Sequence, residues 1–206
     1  MAQVTYSLEE RFQHLKDKIQ SPSFQHNQGL SNEVGYYIFD YPVTETLKMR
    51  TLLKRFLDSP MAAQLNIRCF NVFDIMIKEI KSFDYLVAET NETDGAAVNE
   101  LEKVEERNGM DYLIEQVGNI MEITKEDNAI VKYIQNRLPK NESIIFITGL
   151  GEVYPLLRTH KILNAMTQVI DNYPVIFFYP GKYDSFSLQA FGEVKDQNYY
   201  RAFRID

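Results

Sequence analysis

Two short runs of uninterrupted apolar residues, Ile144-Ile145-Phe146-Ile147 and Val175-Ile176-Phe177-Phe178, constrain the fold of this chain more than any other feature. Each is bounded by turn-forming residues and lacks the polar alternation of a strand with one face in water. Such runs suit strands buried on both faces, the condition of a parallel sheet covered by helices. Between them, residues 155–170 place Leu156, Leu163, Met166 and Ile170 on one side of a predicted helix, so the stretch reads as a β-α-β crossover unit.

The earlier chain supplies further layers. Ser7 with Glu10 forms a capping-box signature, and Leu8, Phe12, Leu15 and Ile19 then recur at helical spacing until Ser21-Pro22. Residues 22–34 read as a polar linker. Tyr36-Tyr37-Ile38-Phe39 predicts a strand closed by Asp40-Tyr41-Pro42, and a helix is expected over 45–58 with Lys48, Arg50, Lys54 and Arg55 outward. Residues 66–72 suit a second strand. From Phe73 the period becomes helical (Phe73, Met76, Ile77, Ile80, Phe83, Val87), and helices are predicted over 96–107, 110–121 and 125–138, the last starting at Thr124 and stopping at Pro139. The expected fold class is α/β: a three-layer arrangement with a mostly parallel central sheet flanked by helices, and an acidic helical insertion between the early and late strands. Residues 1–206 read as a single domain. Within it lie an N-terminal helix and linker (1–34), the helical insertion (73–139), and an aromatic-rich β-α-β and C-terminal strand region (144–206).

Charge is unevenly spread. The chain carries 22 basic and 29 acidic side chains, a net charge of −7. Residues 89–126 alone hold 11 acidic and 3 basic ones, so the remainder is near neutral. This excludes a generally basic nucleic-acid binder. The acidic lobe is either a solubility device or a docking face for a basic partner. Cys69 is the only cysteine, which rules out an intrachain disulfide and fits a reducing compartment; its apolar neighbours predict a small buried side chain. The N-terminal residues lack the basic and apolar regions of a signal peptide, and apolar runs of about five residues fall far short of the ~20 needed to span a bilayer. The expectation is a cytoplasmic protein with no membrane contact.

Chemistry-bearing motifs are few. Gly149-Leu150-Gly151 follows a strand and precedes a predicted helix, the setting of a phosphate loop. However, the third glycine of a dinucleotide fingerprint would fall on Tyr154, Glu152 would repel phosphate, and Gly181-Lys182-Tyr183 is not a Walker sequence. A tight turn is the better reading. His160 and Asn164 share a helical face, either as a hydrogen-bonded pair lining a helix–sheet interface or as a polar contact at a partner surface. No zinc string or nucleophile elbow occurs, so no metal, cofactor or catalytic residue is expected. Ligand sites in open α/β sheets gather beyond strand carboxyl ends, where Asp40, Thr148, Arg158 and Tyr183 are expected to border one cleft. A lone carboxylate such as Asp40 is more often a turn residue. Residues 144–206 hold 12 of the 26 Phe and Tyr, Tyr200 among them, and with Arg201 and Arg204 they read as core plus protein interface, an RNA-stacking platform being the weaker alternative. The basic face of the 45–58 helix is a solvated surface or, less simply, a DNA contact.

Three strings carry a family resemblance: Phe146-Ile147-Thr148-Gly149-Leu150-Gly151-Glu152-Val153-Tyr154-Pro155-Leu156-Leu157-Arg158-Thr159-His160, Phe177-Phe178-Tyr179-Pro180-Gly181-Lys182-Tyr183 with Ser187-Leu188, and Asn198-Tyr199-Tyr200-Arg201-Ala202-Phe203-Arg204. In this order they resemble the BrxB family of bacterial BREX phage-defence systems. The N-terminal half is similar in layout, with Phe39-Asp40-Tyr41-Pro42 before a basic helix, whereas Ser185-Phe186 stands where a glycine is expected. The resemblance implies a small cytoplasmic component encoded with a DNA methyltransferase, an ATPase and the alkaline-phosphatase-like PglZ, without an established enzymatic activity. It implies a non-catalytic adaptor whose expected partners are other BREX proteins, PglZ first, and whose association with DNA is indirect. The alternative is a nucleotide- or phosphate-binding enzyme or sensor using the strand-end cleft. The candidate partner or ligand surface is Asp40, Thr148, Gly149, Gly151, Arg158, His160, Asn164, Gly181, Tyr183, Tyr200 and Arg201.

Overall fold

The structure, a computed structural model, describes residues 6–25, 35–87, 94–183, 188–190, 194–196 and 202–205. Its strands are β1 (Tyr36–Tyr41), β2 (Ile67–Asn71), β3 (Ile144–Thr148), β4 (Val175–Tyr183), β5 (Leu188–Ala190), β6 (Val194–Asp196) and β7 (Phe203–Arg204). The main sheet runs β2-β3-β4-β1-β7. β3, β1 and β7 join it in parallel, with Phe146 opposite Ile176 and Phe39 opposite Phe178. The end of β4 bends into an antiparallel β4-β5-β6 meander. Ile145, Phe146, Ile147, Val175, Ile176 and Phe177 are fully buried, so both faces of the central strands are covered, as their unbroken apolar sequence requires. The fold is α/β, with a parallel sheet flanked by helices.

The helices are α1 (Leu8–Ile19), α2 (Pro22–Gln25), α3 (Thr46–Leu57), α4 (Pro60–Gln64), α5 (Val72–Lys81), α6 (Asp84–Val87), α7 (Ala96–Asn108), α8 (Met110–Ile120), α9 (Ala129–Gln135) and α10 (Thr159–Val169). The chain divides into two compact units. The first comprises Met1–Cys69, Leu138–Thr148 and Ile170–Asp206, and the second Phe70–Arg137 and Gly149–Val169.

In the first unit α1 starts with the full capping box: the Ser7 hydroxyl accepts from the Glu10 backbone N–H, and the Glu10 carboxylate accepts from the Ser7 backbone N–H at 2.8 Å. The Ser7 backbone N–H and hydroxyl, both donating to the Glu10 carboxylate, hold its carboxyl below the usual carboxylate range. The apolar stripe of α1 meets that of α3 over the sheet, and there five phenylalanines close a ring. Phe12 lies edge-on to Phe39 and Phe56, Phe39 and Phe146 both abut Phe178, and Phe56 stacks on Phe146, with centroids 4.9–6.1 Å apart. Elsewhere in the unit, burial pushes the Tyr36 phenol far above its usual range while its O–H donates to the Ile170 carbonyl at 2.6 Å.

A charged cluster in this unit's interior is built on Asp40, only 3% exposed. Arg11 of α1 donates to its Oδ1 at 2.8 Å, Arg204 of β7 forms an ion pair with the same oxygen at 3.1 Å, and the Tyr183 backbone N–H donates to Oδ2 at 2.9 Å. Tyr183, 1% exposed, gives its own O–H to the Ala202 carbonyl at 2.6 Å. A single carboxylate therefore ties together α1, β1, the end of β4 and the C-terminal strand.

Several expectations need correction. Cys69 is exposed, because β2 is the edge strand of the sheet. The helix expected over 125–138 spans only Ala129–Gln135: Glu122 turns the chain at φ +50°, and Asn128, fully buried, caps α9 by accepting from the Val131 N–H. Of the face expected for α5, Met76 and Ile80 are buried, together with Val72 and Ile75, whereas Phe73 and Ile77 are half-buried and Phe83 is exposed. α10 starts at Thr159, so residues 150–157 form turns.

Removing a buried carboxylate that two arginines share leaves uncompensated charge. Asp40→Ala is expected to lower unfolding free energy by about 3 kcal/mol in urea titration, and Arg204→Ala, whose side chain is partly exposed, by about 1 kcal/mol. Equal stability of Asp40→Ala and the parent would contradict the clamp.

Candidate functional site

Turn geometry in the second unit starts at Asn71, a residue that sequence reasoning passed over. Its side-chain oxygen accepts from the Phe73 and Asp74 N–H groups at 2.9 and 3.3 Å, capping α5. Gly149 packs directly on this cap. Its φ is +80°, and a Cβ there would overlap the Asn71 oxygen and come within 2.9 Å of the Phe73 nitrogen. The glycine is thus required by backbone conformation and by close approach to a helix cap. Gly151 follows half-buried in a turn, and Leu150, Val153 and Leu157 anchor the segment in the core. Glu152 does not open a helix.

Beyond this turn lies a concave surface of about 430 Å³, formed within the second unit. Its apolar lining includes Ile114, Ile123, Leu156 and Leu157, and Gly118 lies on the α8 wall, where a Cβ would meet Ile123 at 3.5 Å. A second hollow of about 400 Å³ shares Ile123, Thr124, Lys125 and Lys161 with the first and continues past Asn164 to Gln168. Together they form a groove along α10. The wall from Pro155 to Gln168 presents Arg158, Lys161, Asn164 and Gln168, and this stretch of sequence contains no carboxylate. The α8 wall presents Glu115, and α8 contains Asp111 and Glu115 but no base. At the groove's end Glu122 accepts from Lys125 and Lys132, which hold its carboxyl below the usual range, while Glu122 and Asp127 raise the Lys132 amine. The groove is two-signed, with a cationic lip facing an acidic one.

The residues singled out from sequence divide accordingly. Asp40 and Tyr183 are buried in the first unit's clamp and do not face an open cleft. Thr148 ends β3 half-buried, with its Oγ1 3.9 Å from the Cys69 Sγ, and Gly181 pairs with Ala190 in the β4–β5 meander. Arg158 and Asn164 line the groove; His160 is half-buried beside them. The buried face of α10 is Ile162, Leu163, Ala165 and Met166, so Asn164 stands on the exposed side. Tyr200 and Arg201 lie outside the described residues. Lys161, Glu115 and Gly118 went unnoticed, although the change from an acidic 89–126 to an acid-free 155–170 was a readable signal. Among the described residues no group of three or more His, Cys, Asp or Glu side chains is placed to hold a metal ion, and no helix is long and apolar enough to cross a membrane.

A small α/β protein with a parallel sheet, a buried charge clamp and a solvent-facing groove is the class these features define. A family model described as "BREX protein BrxB" matches residues 68–205. A BREX protein BrxB of Bacillus cereus (strain H3081.97) is 34% identical over 199 residues, covering 96% of this chain and 97% of that protein. One of Escherichia coli O9:H4 (strain HS) is 29% identical over 198 residues, covering 96% and 91%. The chain belongs to the BrxB family, and so to the components of BREX systems. No solved structure matches it.

The Asn71–Gly149 packing makes a prediction. Gly149→Ala is expected to cost about 2 kcal/mol or more in urea unfolding, from positive φ and overlap together. Asn71→Ala is expected to cost about 1 kcal/mol, as a lost cap. The double variant should lose less than the sum, because removing the Asn71 side chain gives the new methyl room; strict additivity would refute the shared contact.

Proposed function

We propose that this chain is a non-catalytic assembly protein of a BREX bacteriophage-defence complex, acting in the cytoplasm and contacting the PglZ protein. One observation carries the reading: the groups that sequence offered as cleft chemistry are used for structure. Asp40 is held by two arginines and a backbone N–H, the Tyr183 hydroxyl closes on Ala202, and Gly149 is packed on a helix cap. The surface left for recognition is shaped and charged as a binding face, with Arg158, His160 and Asn164 on or beside it. Membership of the BrxB family supports the BREX context. Direct DNA contact is not part of the proposal; DNA is met through the complex.

The test is co-expression of the affinity-tagged chain with the BREX proteins of its own system. PglZ is expected to be retained at micromolar concentration in stoichiometric amount. A chain that elutes alone while PglZ is soluble in the same lysate would overturn the adaptor reading.

A further inference from the structure

The groove between α8 and α10 has a feature that general adaptor function does not demand: its two walls carry opposite net charge. The stretch 155–168 contributes Arg158 and Lys161 and no acid, while the facing wall, from α8 through the turn that follows it, contributes Glu115, Glu122 and Glu126 against the single base Lys125. Between them the floor is apolar, through Ile114, Ile123, Leu156 and Leu157. Glu122, at the groove's end, is already neutralised by Lys125 and Lys132. From Arg158, just before α10, to Gln168 the wall spans ten residue steps, about 15 Å or roughly three helical turns. Exposed charges of opposite sign flanking an apolar floor are the arrangement by which helices set partner and orientation, through charged positions on either side of an apolar seam.

We propose that this groove takes an amphipathic helix of a partner protein, with its apolar stripe on the floor, its acidic flank along α10 and its basic flank along α8. The proposal rests on the adaptor reading and adds to it the occupied surface, the secondary structure of the occupant and its rotational setting. A helix with uniform charge would meet a like-charged wall on one side, and an uncharged apolar segment would leave both lips without partners, so the two-signed flank pattern is the one the groove selects.

The experiment is the pull-down with co-expressed BREX proteins, run on the full-length chain and three variants. Arg158→Glu/Lys161→Glu turns the cationic lip acidic; Asn164→Glu makes the same change with one exposed residue; Lys54→Glu/Arg55→Glu on α3 is the control. The lip reversal is expected to reduce capture of the partner by roughly tenfold or more, with Asn164→Glu reducing it less, the α3 control unchanged, and all melting temperatures close to the parent's. Capture that survives both lip variants while the parent captures its partner overturns the groove proposal and leaves the adaptor reading standing. A parent that captures nothing overturns both. If the lip variants abolish self-association of the chain in sedimentation while partner capture persists, the occupant is a second copy and the partner-helix proposal is wrong. Should the double reversal fail to fold, the melting curve will show it, and Asn164→Glu decides.

Discussion

A buried carboxylate organises the first unit of this protein. Asp40 stands in β1 with almost no solvent access, and its two oxygens accept from side chains or backbone donated by α1, the end of β4 and β7. Burying a charge is unfavourable unless its lone pairs are satisfied, so any arrangement that moved one of these elements away would leave the carboxylate short of a donor. That requirement acts as a registration device. It complements the phenylalanine ring beside it, which supplies apolar burial but tolerates sliding better than a charge cluster does. The C-terminal segment is held twice, by Arg204 and by the Tyr183 hydroxyl on Ala202.

The second unit is organised by helix caps rather than by charge. Asn71 caps α5 and shapes Gly149, Asn128 caps α9, and Asp84 accepts from the backbone N–H groups of Gly95 and Ala97 at 2.8 Å each, fixing the entry to α7. These local bonds set where each helix starts and therefore which side chains stand on the groove. The acidic excess of 89–126 acquires a location in this way: Glu115 becomes one lip of a groove whose other lip comes from an acid-free stretch.

Legibility followed locality. The unbroken apolar runs announced β3 and β4, and Ser7-x-x-Glu10 announced α1 to the residue, because both signals are complete within a few positions. Asp40 was opaque, since Asp-Tyr-Pro looks like a turn and its partners sit at positions 11, 183 and 204. Leu156 continues the spacing of Leu163, Met166 and Ile170 and so extends the predicted helix back to 155, yet residues 150–157 form turns anchored by Leu150, Val153 and Leu157, and α10 begins at Thr159. Cys69 shows the same limit: an apolar neighbourhood cannot say whether a strand is central or at an edge. At the groove, Asn164 stands out by its helical spacing from His160 and Arg158 as a border of the strand-end cleft, whereas Lys161 and Glu115 matter for the contrast between two distant segments, which no single motif displays.

Placement in the BrxB family gives the chain its setting, and the structure adds a surface on which assembly can occur. The central claim is that partner binding is confined to the α8–α10 groove. Hydrogen–deuterium exchange of the chain alone and in its co-purified complex tests this most directly. The account predicts slowed exchange in peptides covering 110–126 and 155–169, with α3 unchanged. Slowed exchange confined to α3 or to β2, with the groove peptides unaltered, would contradict it.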